Sequence, residues 1–163
     1  DFDPLTDCYN RRMGLILLEE KLKYSKRYQK KCVICFIDQD NLKYINDNYG
    51  HGVGDLALKG VANALMYASE DDEICIRMGG DEFTVIGVEY DEQKMDRFLE
   101  RFYDALNEFN ESNKYHFSIR ISVGWNITLA NKDTNLEECH SIADARMYQQ
   151  KHEKEVKGLR HKK

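Results

Sequence analysis

The chain has 163 residues, enough for one domain with a full core and too few for two of ordinary size. Its net charge of −5 argues against a nucleic-acid surface, which needs a concentrated basic face. No apolar run approaches the ~18–20 residues that cross a bilayer, no signal peptide opens the sequence, and Cys8, Cys32, Cys35, Cys75 and Cys139 form an odd set without a disulfide framework, so the expectation is one cytoplasmic domain over 1–163 that contacts neither nucleic acid nor membrane.

A helix is expected from about Asn10 to Tyr28, with Leu15, Leu18 and Leu22 on one face. The apolar run Cys32 to Ile37 reads as a strand buried on both faces, which places Asp38 at its carboxyl end. Cys32 and Cys35 spell Cys-x-x-Cys, but three positions apart on a strand they point to opposite faces and read as core. A short helix near Leu42 to Asn48 follows, stopped by Gly50. The turn that opens it offers backbone N–H groups to phosphate, with Lys43 one turn in. Ala57, Gly60, Val61, Ala64, Leu65 and Ala68 line the next helix, and their small size implies close packing on the sheet.

A hairpin spans Ile74 to Val88 with Gly79-Gly80-Asp81-Glu82 at its tip. The glycines supply the positive φ of a tight turn, and the acids beside them supply hard oxygen ligands. Met95, Phe98, Leu99, Phe102, Ala105, Leu106 and Phe109 keep helical spacing and read as core rather than a cofactor box. Phe117, Ile119, Ile121 and Val123 alternate with polar residues, as an antiparallel strand with one wet face does. A last helix is expected from Leu136 to Lys154, and the lysine-rich stretch from Lys151 to Lys163 reads as a solvated, fraying end. The order αβααββαβα fits an α+β fold, a ferredoxin-like split βαβ with a mainly antiparallel sheet flanked by helices.

The hairpin tip alone matches an ordinary surface turn, but the segment after Asp38 adds a second acidic rim. Asp38 is placed to share a cation with Asp81. Asn46 and Asp55 carry the amide and carboxylate that match a purine edge such as guanine's.

Taken together, these segments resemble the GGDEF family of diguanylate cyclases, which condense two GTP into cyclic di-GMP and two pyrophosphates. The resemblance runs through Asp3-Pro4-Leu5-Thr6-Asp7-Cys8-Tyr9-Asn10-Arg11-Arg12, the block from Asp38 to Asp47, Gly50-His51-Gly52-Val53-Gly54-Asp55, the hairpin Gly79-Gly80-Asp81-Glu82-Phe83, Ser122-Val123-Gly124 and the stretch Ala143 to Lys151. It implies a palm-like, nucleotide cyclase-like fold and a site with two divalent ions, Mg²⁺ or Mn²⁺. Asp38 and Asp81 are the implied ligands, joined by the backbone carbonyl of Gln39, where the side chain is expected to matter little. Glu82 is implied as a ligand of the second ion or as the base. Asn46 and Asp55 are the implied guanine readers, with His51 beside the ribose or the loop. Lys43, the N–H groups around Asn41 and Leu42, and Lys151 are the implied phosphate contacts, although Lys43 and Lys151 also read as plain solvated charges.

The resemblance further implies a homodimer, each domain holding one GTP across a twofold axis. The start at Asp1, without Met, reads as a piece of a longer signalling protein with an upstream sensory or regulatory domain, membrane anchoring of the whole left open. Two departures stand out. Glu155 occupies the place of a phosphate-binding arginine, and Glu70-Asp71-Asp72-Glu73 replaces an Arg-x-x-Asp product site, so product inhibition there is not expected. The alternative function is a weak or silent GTP-binding regulatory module.

Overall fold

Asn10 begins the first helix: its side chain accepts a hydrogen bond from the backbone N–H of Met13, and α1 then runs Arg11–Tyr28. In the computed structural model, which describes residues 1–70 and 72–156 apart from the side chains of Leu136 and residues 154–156, eight further elements follow. They are β1 (Lys31–Gln39), α2 (Leu42–Tyr49), α3 (His51–Ala68), β2 (Ile74–Gly79), β3 (Glu82–Val88), α4 (Glu92–Ser112), β4 (Ile121–Leu129) and α5 (Leu136–Val156). The lysine-rich end beyond 156 lies outside the described residues. No helix among those described is long and apolar enough to cross a membrane.

The four strands form one antiparallel sheet in the order β2-β3-β1-β4. The α+β architecture expected from the sequence is the one observed. β1 lies inside the sheet, and its even and odd positions divide the core. Val33, Cys35 and Ile37 join α3 and α4 residues such as Val61, Leu65, Phe98 and Phe102 in the larger cluster. Ile34 joins Leu18 of α1 and Cys139 of α5 in a second cluster, and Cys32 packs with Leu22. The two cysteines of Cys-x-x-Cys thus face opposite sides. All five cysteines are free and buried, and burial pushes the Cys8 thiol up to about 11, which suits core packing rather than reactivity.

Small residues on α3 do bring close packing. A Cβ at Gly60 would come 2.9 Å from the Phe109 ring and 3.1 Å from Ile119, so the fit is against α4 and the segment before β4. At Gly124 of β4 a Cβ would lie 2.3 Å from the backbone of Ala143 and of Met147, so α5 seats backbone to backbone on that strand.

The expected strand over Phe117 to Val123 is displaced: β4 starts at Ile121 and continues to Leu129. Phe117 and Ile119 are buried as their alternation implies, but side-chain amides satisfy the backbone around them. Asn110 accepts from the N–H of Ile119 at 2.6 Å and donates to its carbonyl at 3.2 Å. Asn41 donates to the Ser118 carbonyl at 2.7 Å and accepts from the Arg120 N–H at 3.1 Å.

Both sheet edges are covered. Tyr9 bridges β2, its N–H donating to Cys75 and its carbonyl accepting from Arg77. On β4, the Val123 N–H donates to Gln150 and the Trp125 carbonyl accepts from Arg146, both reaching over from α5.

Candidate active site

Two adjacent strand ends create the acidic site. Asp38 pairs in register with Glu82 across β1 and β3, and the Gln39 N–H donates to the Asp81 carbonyl at 3.0 Å, which draws the hairpin turn against the end of β1. Gly79 and Gly80 take φ of 147° and 47°, backbone that side chains resist, and so permit the tight turn that presents Asp81 and Glu82. Carboxylate oxygens of Asp38, Asp81 and Glu82 lie within 4.8 Å of one another. Asp38 is 5% exposed, and its Oδ1 has no hydrogen-bond partner. A buried orphan oxygen beside two further carboxylates is a donor set that fits a hard divalent cation such as Mg²⁺ or Mn²⁺.

Arg77 braces this turn from behind. Its guanidinium donates to the Gly80 carbonyl at 2.9 Å and to both oxygens of Asp3 at 3.1 and 3.2 Å. Asp3 also accepts from the N–H and hydroxyl of Thr6. Burial raises the Asp3 carboxyl, but these hydrogen bonds outweigh it and hold its pKa below the usual carboxylate value.

The chain passes from the acidic site directly into α2. The first turn of this helix has no side-chain cap, because the Asn41 amide is committed to residues 118 and 120. That leaves the helix start suited to an anion, with Lys43 exposed on its first turn. Further on, α2 leans on the start of α3. A Cβ at Gly54 would sit 1.7 Å from Asn46 Oδ1, so the Asn46 amide occupies the space that glycine leaves, one residue before Asp55. Asp55 and His51 are exposed on the first two turns of α3.

The family model for "Diguanylate cyclase, GGDEF domain" matches residues 1–157. Diguanylate cyclase DgcN of Escherichia coli K12 is 32% identical over 97% of this chain. The chain belongs to the GGDEF family. It spans 38% of the length of DgcN and about a third of the probable diguanylate cyclase DgcC, also 32% identical. The crystal structure of diguanylate cyclase SiaD from Pseudomonas aeruginosa, solved with its activator SiaC, superposes with a TM-score of 0.85 at 29% identity, covering 93% of this chain and 58% of that one. The GGDEF domain of DgcB from Caulobacter crescentus, solved with cyclic di-GMP, gives 0.82 at 21% identity over 93% and 90% of the two chains, a likeness of fold.

Within this GGDEF domain one alternative reading, of Lys151 as a plain solvated charge, falls, and one expectation, for Gln39, changes. Lys151 does not stand in solvent: its Nζ pairs with Asp38 Oδ2, inside the acidic site. Gln39 is not neutral either, since its side chain is 1% exposed with neither amide atom hydrogen-bonded. Gln39→Ile is expected to raise unfolding stability by about 1–3 kcal/mol, because a buried unmet polar group costs that much; a lower urea midpoint for the variant would show that the amide is satisfied in solution.

Sequence reasoning missed Asp40, whose carboxylate accepts from the Ser122 hydroxyl at 2.8 and 2.9 Å and whose N–H donates to the Arg120 carbonyl at 2.7 Å. It also gave no role to Arg77. The signal for both was present, a second acid two residues after Asp38 and a cation two before the glycines. On the sheet face beneath α1 and α5, a cavity of about 370 Å³ reaches Glu82 and is lined by Arg11, Phe36, His140 and Met147.

Proposed function

We propose that this GGDEF domain condenses two GTP into cyclic di-GMP, one GTP per domain in a twofold dimer. The observation that carries this reading is the convergence of Asp38, Asp81 and Glu82 within 4.8 Å at the end of β1, with Asp38 buried. These residues, with the Gln39 carbonyl, would hold two Mg²⁺ or Mn²⁺ ions. When bound, such ions acidify a 3′-hydroxyl and neutralise a triphosphate.

The rest falls to the chain itself. Asn46 and Asp55 take the guanine edge, and His51 lies beside them. The start of α2 with Lys43, and Lys151 from α5, take the phosphates. Glu82, exposed at the tip, is placed to accept the hydroxyl proton or to complete the second ion's ligands. One such site holds one GTP, so the 3′-hydroxyl must come from a second copy facing it. Glu155 in the arginine's place favours a weaker hold on GTP, and a GTP-binding regulatory module without turnover is the second reading. Around Glu70, Asp72 and Glu73 the nearby cations are committed, Arg101 to Glu70 and Lys21 to Asp72, so product feedback through this surface is not expected.

The test is a GTP assay across protein concentration. With Mg²⁺ present, cyclic di-GMP formation per mole of protein is expected to rise as the domain is concentrated, tending toward a squared dependence of total rate. Strict proportionality would remove the dimer, and bound GTP without pyrophosphate release, even in a forced dimer, would establish the regulatory module.

A further inference from the structure

We propose that Lys151 is the resident counter-ion of Asp38, exchanged for the divalent cation when the site loads, so that lysine and metal hold this carboxylate in turn. The inference rests on the metal-site reading given above. Lys151 and Asp38 are 113 residues apart in sequence, and their side chains are 15% and 7% exposed, against 70% and 55% for the surface pair Arg12 and Asp1. Charges withdrawn this far from water need a partner, and each supplies the other's.

Three carboxylates with oxygens within 4.8 Å repel one another, and the Lys151 ammonium on Asp38 relieves part of that repulsion. The orphan Oδ1 of Asp38, set among these acids, favours a doubly charged ion. An ion on that carboxylate then stands against the lysine's own positive charge, so occupancy by one expels the other.

The position of α5 makes this exchange local. Gln150, the residue before Lys151, accepts from the Val123 N–H, so two successive residues of one helix grip the ends of β4 and β1. Gln150 can keep its hold on β4 while the long lysine side chain swings away. A metal–triphosphate complex brings both halves of the exchange at once, a cation for Asp38 and an anion for Lys151. Without nucleotide, the lysine lowers apparent metal affinity by the fraction of time the carboxylate is open.

Mn²⁺ binding without nucleotide, followed by the electron-spin signal of the free ion, decides the matter for the wild type and Lys151→Met. If the lysine holds Asp38 nine-tenths of the time, the variant is expected to bind Mn²⁺ about tenfold more tightly. Equal affinity in the two proteins would overturn the exchange while leaving the metal site intact. Absence of Mn²⁺ binding in both at millimolar concentration would overturn the metal site and the exchange with it. Should Lys151→Met fail to fold, acylation of Lys151 in the wild type, followed by peptide mass spectrometry, takes its place. Mg²⁺ is expected to speed modification of Lys151 several-fold relative to the exposed Lys59, and an unchanged ratio would overturn the proposal.

Discussion

Asp81→Ala is expected to lower cyclic di-GMP formation by ~10³-fold or more while leaving the domain folded. Losing a carboxylate that holds a catalytic cation forfeits several kcal/mol of transition-state stabilisation, and each 1.36 kcal/mol is tenfold in rate. The fold should tolerate the change for a local reason. The hydrogen bond that draws the hairpin to β1 uses the backbone carbonyl of Asp81, which alanine keeps. Arg77 still bonds the Gly80 carbonyl next to it. A thermal melt close to the wild type beside lost activity is the expected pair of results. Product formation within tenfold of the wild type would remove Asp81 from the metal site.

Asp55→Ala is expected to act on base selection. Asp55 is exposed on the first turns of α3, so its loss should change stability by less than ~0.5 kcal/mol, as surface substitutions usually do. A carboxylate facing the amino and imino groups of guanine makes charge-assisted bonds of ~1.5–3 kcal/mol. Removing it should cost ~10²-fold in kcat/KM for GTP and much less for ATP, which offers no such pair of donors. Competition between the two nucleotides measures this directly. An unchanged ratio would mean that the guanine is read elsewhere.

Much of the fold is legible in the sequence because burial leaves a periodic trace. Leu18 and Leu22, the odd positions of β1 and the aromatic stripe of α4 all sit where their spacing places them. The displaced β4 shows the limit of that trace. Alternation at Phe117 and Ile119 reports which side chains are buried, not which backbone they pair with, and there the amides of Asn110 and Asn41 compete successfully with a neighbouring strand. The acidic site was legible for a different reason: glycines before acids, and an acid where an apolar run stops, are constraints of turn geometry and charge that appear locally. The pairing of Lys151 with Asp38 was not, since nothing local to a helical lysine names its partner until the fold brings α5 back over the end of β1. Gln39 illustrates the same limit from the other side. Its position beside a ligand is plain in the sequence, but the burial of its amide depends on strands far along the chain.

The covered edges of the sheet bear on how copies of the domain can meet. Open strand edges invite runaway pairing from chain to chain, the route to fibrous aggregates. Here Tyr9 shields one flank, and Arg146 and Gln150 occupy outward backbone groups on the other. Pairing of copies strand to strand is thereby disfavoured at those positions. The proposed twofold dimer would then have to form through another face, and the side chains on the flanks would favour it without touching the substrate.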